Sequence, residues 1–262
     1  MSYISVEGVS KRFGSTQALD DVSFEVPQGE FVVILGASGS GKSTLLRCMN
    51  GLTKPTAGSI SINDTEITEP HPEIAMIFQQ HNIIGEMSAY SNALTGSLQR
   101  SGVLESVFQF HDRAEKLEAL QALETVGLLD EANQRASQMS GGQQQRVGIA
   151  RALVQNPMTL LADEPVASLD PGSSQQVMEY LLRASDDRKL TTVVSLHQVN
   201  LARQFGERFI GLKIGQVVFD GYAEEFGLDV IDEIYDSPEH VGDDGDERDE
   251  EAAVDSQDEV TA

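Results

Sequence analysis

Tryptophan is absent from the chain and cysteine occurs once, at Cys48. A lone thiol excludes a disulfide framework and fits a reducing compartment, so a buried core must hold the fold together. The 262 residues are enough for one large domain or two small ones, with a sizeable core. No apolar run approaches the ~18 residues that a membrane-crossing helix needs. The opening Met1-Ser2-Tyr3-Ile4-Ser5-Val6-Glu7 has neither a basic nor an apolar region, so it does not read as a signal peptide. The expectation is a soluble, intracellular chain that meets a membrane only through a partner.

Positive charge is the other shortage. Eighteen Lys and Arg face 42 Asp and Glu, for a net charge of −24. Such a field repels phosphate backbones and excludes a coating role on DNA or RNA, so no nucleic-acid partner is expected. Between Glu239 and Ala262 stand eleven acidic residues against the single Arg248, and the rest of the chain still carries −14. Only six of the cations are lysines. Scarce lysine on an acidic surface predicts a protein suited to a high-salt cytoplasm, where screening makes that surface tolerable; an ordinary acidic protein with a solubilising tail is the alternative.

What is present alternates short β-rich runs with amphipathic helices and contains no internal repeat, which predicts an α/β fold. Phe31-Val32-Val33-Ile34-Leu35 is a continuous apolar run ending at a glycine, as a buried parallel strand does. Thr191-Thr192-Val193-Val194-Ser195 and Met158-Thr159-Leu160-Leu161-Ala162 read the same way, the latter just after the helix-ending Pro157. Ahead of them the alternation Ser23-Phe24-Glu25-Val26 predicts antiparallel strands with one exposed face. From about residue 82 to 139 strand signals thin out, and Ala114, Leu117, Leu120, Leu123 and Val126 recur at helical spacing. Beyond Ser237 large apolar residues nearly vanish, which predicts a disordered acidic tail over 237–262.

The sharpest chemical signal is Gly36-Ala37-Ser38-Gly39-Ser40-Gly41-Lys42-Ser43, between a strand and a helix expected over Thr44–Asn50. Glycines let the backbone wrap phosphates closely, and the amides then point inward at a helix N-terminus that favours anions. Lys42 brings a mobile charge to the β- and γ-phosphates, and Ser43 a hydroxyl for Mg²⁺. Asp163 ends an apolar strand, where it can orient the metal, and Glu164 follows in position to polarise an attacking water. A strand-end Asp-Glu-Pro is also an ordinary turn; the P-loop upstream favours the catalytic reading. Ser140-Gly141-Gly142-Gln143-Gln144 opens an amphipathic helix, with Val147, Ala150 and Val154 on one side. It reads both as a capping box between Ser140 and Gln143 and as a second phosphate-binding helix start.

In this order the motifs resemble the ATP-binding subunit of ABC transporters, over roughly residues 1–236. Gln79 in Ile77-Phe78-Gln79-Gln80 looks like the Q-loop glutamine, and Ser140–Gln144 like the family signature, preceded by Met139 where leucine is usual. Asp163-Glu164 resembles Walker B, Ser168-Leu169-Asp170 the D-loop, and His197 the switch histidine. Phe13 sits where the family stacks an aromatic on adenine. Single residues of these types are usually surface, strand-end or core residues; their place in the series makes them candidates.

The resemblance implies a P-loop (RecA-like) core with an antiparallel β subdomain and an α-helical signature subdomain, the last over about residues 82–142. It implies ATP and Mg²⁺, with Glu164, His197 and Gln79 as the catalytic set and Ser43, Gln79 and Asp163 around the metal. Nucleotide contacts would come from Phe13, from Gly36 through Thr44, and from Ser140, Gly141, Gly142, Gln143 and Asp170. The last five would act on a second copy in a head-to-tail dimer. Membrane-spanning permease subunits would be direct partners, on the cytoplasmic face, and an extracytoplasmic phosphonate-binding protein an indirect one. The wording of Ala162–Pro171, Leu45–Asn50, Ile77–Asn82 and Leu196–Ala202 is similar to phosphonate importer ATPases. Phosphate, phosphite or polar amino acids remain alternative cargoes, and a soluble non-transport ABC ATPase is the rival from another class. Two departures from the family pattern are a short connector from Asn63 to Ile74 and Ala75 in place of a glycine.

Overall fold

The structure is a computed structural model and describes residues 2–80, 82–99 and 112–235. The predicted acidic tail lies outside the described residues. Two sheets organise the chain. A four-stranded antiparallel sheet has the order β2-β1-β4-β5, from β1 (Ser2–Phe13), β2 (Thr16–Pro27), β4 (Ala57–Ile62) and β5 (Thr65–Glu66). A six-stranded sheet has the order β10-β9-β3-β8-β7-β6. Its strands are β3 (Phe31–Leu35), β6 (Ile74–Ile77), β7 (Thr159–Asp163), β8 (Thr191–Leu196), β9 (Arg208–Lys213) and β10 (Gln216–Tyr222). Neighbours pair in parallel except for the β9–β10 hairpin at one edge.

The apolar runs become the centre of the larger sheet because both of its faces are covered. Every residue of β3, β7 and β8 is buried. Alternate side chains enter different cores, as the two-residue period requires. Val32, Ile34, Leu161 and Val193 join the antiparallel sheet and helix α1 (Lys42–Met49), while Val33, Leu35, Leu160 and Val194 face the other helices. Cys48 is part of the first core, where burial pushes its thiol up to about 11. It acts there as a small apolar side chain. β2 alternates as expected, with Val22, Phe24 and Val26 inward and the residues between them exposed.

Between β6 and β7 the chain forms α2 (Ala89–Leu94), a 3₁₀ turn (Thr95–Gln99), α3 (Arg113–Thr125) and α4 (Gly141–Val154). α4 is the hub: Val147, Gly148, Ile149, Ala150, Leu153 and Val154 are all buried, well beyond the single stripe expected from Val147, Ala150 and Val154. In α3 the buried face runs through Ala119, Ala122, Leu123 and then Val126. Leu117 and Leu120, placed on the inner stripe by spacing, are 54% and 37% exposed. Alanines let α3 approach α2 and α4 closely, and that close packing selects the stripe over raw hydrophobicity. α5 (Pro171–Arg188), α6 (Val199–Phe205) and α7 (Leu228–Tyr235) complete the layers. Among the described residues no helix is long and apolar enough to cross a membrane.

Candidate nucleotide site

β3 ends at Leu35, and the chain turns through Gly36–Gly41 into α1. Gly41 has φ 108°, and a Cβ there would lie 2.6 Å from the Ala18 carbonyl oxygen and 2.9 Å from Leu19 Cδ2. No other residue fits without moving β2. The N-terminus of α1 has no side-chain cap and no acidic residue in its first turn. Its leading amides and positive dipole end are therefore free to receive an anion. The β9–β10 turn braces the loop from outside, as Gly215 N–H donates to Ser40 O at 2.9 Å and Asp20 N–H to Gly215 O at 2.8 Å.

Lys42 is 4% exposed. Its ammonium donates to Gly36 O at 2.8 Å and Ala37 O at 3.1 Å, and lies 3.4 Å from a Glu164 carboxylate oxygen. Those partners offset the cost of burying the charge. β7 delivers Asp163, 3% exposed, to the same end of the sheet. Its Oδ1 accepts from Ser43 Oγ at 2.8 Å and from Ser195 Oγ at 3.1 Å. Ser195 in turn accepts the Glu164 N–H at 2.9 Å. Glu164 has φ 45°, a left-handed conformation that costs a non-glycine residue energy. That turn aims its carboxylate back toward the P-loop, between Lys42 and the ring Nδ1 of His197, which lies 3.9 Å away.

A cavity of about 280 Å³ is lined by Ser38 through Thr44 together with Ala18, Gln79 and Glu164. Gln79 thus meets the P-loop although nearly forty residues separate them in sequence. Phe13 is 52% exposed at the end of β1, with the Lys11 ammonium 5.0 Å from its ring centroid. Ser140, Gly141, Gly142, Gln143 and Asp170 do not line this cavity. Ser140 caps α4, where Gln143 N–H donates to its Oγ at 3.2 Å and Ser140 N–H donates to Gln143 Oε1 at 2.9 Å. The capping box and an exposed helix start coexist. Asp170 caps α5 by accepting the Ser173 N–H at 3.1 Å, and the hydrogen bonds from Ser173 hold its carboxyl below the usual range. The two caps are neighbours: a Cβ on Gly141 would sit 3.2 Å from Leu169, and one on Gly142 3.0 Å from Ser173.

Sequence reasoning read Ser195 only as the end of a strand. The signal that would have singled it out is a hydroxyl closing a wholly buried strand beside the Asp163 strand, and that pairing is visible only once β7 and β8 are in register.

An uncapped helix start behind a glycine loop, a lysine within it and an Asp-Glu pair on a nearby strand end define a P-loop ATPase. The family profile for ABC transporters matches residues 19–167, and the chain belongs to that family. The phosphonates import ATP-binding protein PhnC of Halobacterium salinarum is 63% identical over 90% of this chain and 84% of that one. PhnC 2 of Haloquadratum walsbyi is 56% identical over 92% and 86%. Among solved structures, a dimeric ATP-binding cassette in a post-hydrolysis state with ADP and Pi is 35% identical, with a TM-score of 0.72 over 85% of this chain and 100% of that one. A nucleotide-free cassette superposes with a TM-score of 0.77 at 27% identity, over 92% and 98%. The chain is therefore an ATP-binding transporter subunit, an ATPase coupled to transport.

Proposed function

We propose that this ATPase powers an importer of phosphonates, working as a head-to-tail pair on the cytoplasmic face of a membrane permease. The observation that carries the cargo is the 63% identity, over nine-tenths of the chain, to a protein named for phosphonate import. This subunit has no need to touch the cargo, so the argument for the cargo is one of likeness. The argument for the chemistry is one of geometry.

ATP phosphates are received by the amides of Ser38–Thr44, with Lys42 moving from its carbonyl partners to the β- and γ-oxygens. Phe13 offers a ring face to the adenine. Ser43 Oγ, the Asp163 carboxylate and the Gln79 amide are hard oxygen donors that suit Mg²⁺, a cation held by few protein groups and completed by phosphates and water. Ser43, Asp163 and Gln79 would hold the ion, which would supply Lewis-acid stabilisation of negative charge on the phosphates. Glu164 takes the proton of the attacking water, and His197 stands beside it at the γ-phosphate end. Ser140–Gln143 and Asp170, side by side and away from their own cavity, form one face of a two-fold interface and reach the nucleotide of the second copy. A groove of about 430 Å³ lined by Leu52, His71, Met76, Phe78, Asn82 and Arg151 adjoins the Gln79 segment and suits the permease.

The test is uptake of a labelled alkylphosphonate in cells lacking this gene and complemented with the wild-type chain. Restored uptake is expected. Expression without restored uptake would overturn the phosphonate cargo and turn the assay to phosphite, phosphate and polar amino acids.

A further inference from the structure

The last described helix, α7, lies beyond the residues that the family profile covers, yet it reaches the site. Ile234 is 1% exposed and packs on β9 at Gly211, where a Cβ would lie 2.5 Å from Ile234 Cδ1. The absent side chain makes room for the helix. Lys213 Nζ donates to Glu233 O at 2.8 Å, and a cation on the final carbonyls suits a helix C-terminus. Thus fixed, Tyr235 donates its hydroxyl proton to the His197 carbonyl at 3.1 Å. The Gly36 backbone and the Glu164 carboxylate both lie near enough to act on the phenol electrostatically. A carbonyl oxygen can only accept, so the direction of the bond is set: Tyr235 to His197.

We propose that Tyr235 is a positioning residue for ATP hydrolysis, its phenol tying the His197 backbone to the packed helix α7. The His197 ring needs such an anchor. It is 46% exposed, and its 3.9 Å separation from Glu164 exceeds hydrogen-bond length. Its placement at the γ-phosphate therefore depends on where its backbone is held. Burial pushes the Tyr235 phenol up, which keeps it protonated and able to donate to the carbonyl. The inference rests on His197 acting at the γ-phosphate.

The experiment compares ATP hydrolysis by the full chain in molar KCl as wild type, Tyr235→Phe, His197→Ala and the double variant, with thermal unfolding of each. Phe keeps the ring and removes the hydrogen bond to the His197 carbonyl. The expected result is a kcat about tenfold lower for Tyr235→Phe, with KM for ATP and Tm little changed, the scale of one neutral hydrogen bond. Because Tyr235 acts through His197, the double variant should be no slower than His197→Ala. A Tyr235→Phe kcat within twofold of wild type, while His197→Ala is impaired, would overturn the inference alone. So would failure of Tyr235→Phe to fold, or a fall in kcat matched by equal losses of ATP affinity and Tm, since either outcome marks a structural tie. A His197→Ala chain that hydrolyses ATP at the wild-type rate would instead overturn the role of His197 and remove the basis for Tyr235.

Discussion

Ser195→Ala removes one hydroxyl that serves two neighbours, Asp163 and Glu164, which we propose hold the metal and polarise the attacking water. Asp163 Oδ1 loses one of its two donors, the bond of 3.1 Å, and keeps Ser43. The Glu164 N–H loses its 2.9 Å acceptor just where the backbone is held at φ 45°. A hydrogen bond to a charged acceptor contributes about 1.5–3 kcal/mol, and a buried donor left without a partner costs about 1–3 kcal/mol. Relaxation recovers part of the sum, so a net loss of about 2–3 kcal/mol is expected, with a Tm lower by roughly 4–12 °C for a chain of this size. The kinetic effect is separate. If Glu164 is the base we propose, a loosened backbone swings its carboxylate away from the attacking water, so kcat should fall about tenfold or more while ATP binding holds. Thr192→Val is the control. It breaks another buried hydroxyl pair on the same strand, Thr192 with Ser185 at 2.8 Å, away from the site. Calorimetry and steady-state ATP hydrolysis on both variants decide the matter. If Ser195→Ala is destabilised but keeps wild-type kcat, as Thr192→Val should, Ser195 is a structural residue and the latch on Glu164 does not exist.

Gly41→Ala forces a Cβ to within 2.6 Å of the Ala18 carbonyl at φ 108°, so it should abolish ATP binding in a fluorescent-nucleotide titration; unchanged affinity would mean that the loop is not held against β2. With a net charge of −24, the chain should melt at higher temperature in molar KCl than in dilute buffer, because the Debye length shrinks from about 10 Å at 0.1 M to about 3 Å at 1 M. A melting temperature that does not rise would remove the high-salt reading of the surface.

The parts of this molecule legible in the sequence are those fixed by short-range pattern. β3 was readable because five apolar residues in a row can be buried on both faces only at the centre of a covered sheet. The Ser140–Gln143 cap was readable because three-residue spacing at a helix start dictates which amide meets which side chain. α3 was readable as a helix but not in its orientation, since Leu117 and Leu120 match the period as well as Ala119 and Ala122 do. Tight packing against α2 and α4 makes that choice, and packing is not periodic. The supports of the site were hidden for a related reason. Ser195 meets Glu164 across thirty-one residues, and Tyr235 meets His197 across thirty-eight. Neither distance has a signature, because contacts between strand ends and a returning helix depend on the order of strands in the sheet. Glu164 shows the reverse case. Its identity was readable from the Asp-Glu pair, while the left-handed backbone that aims it was not.

The central claim is that Glu164, lying between Lys42 and His197, is the base for ATP hydrolysis. Glu164→Gln keeps the shape and removes the basicity, so one measurement addresses it: the ATP hydrolysis rate of this variant beside its affinity for ATP. The account predicts affinity within a few-fold of wild type and a rate lower by about 10²–10⁴, the usual contribution of a positioned general base. Hydrolysis by Glu164→Gln within twofold of wild type would contradict it.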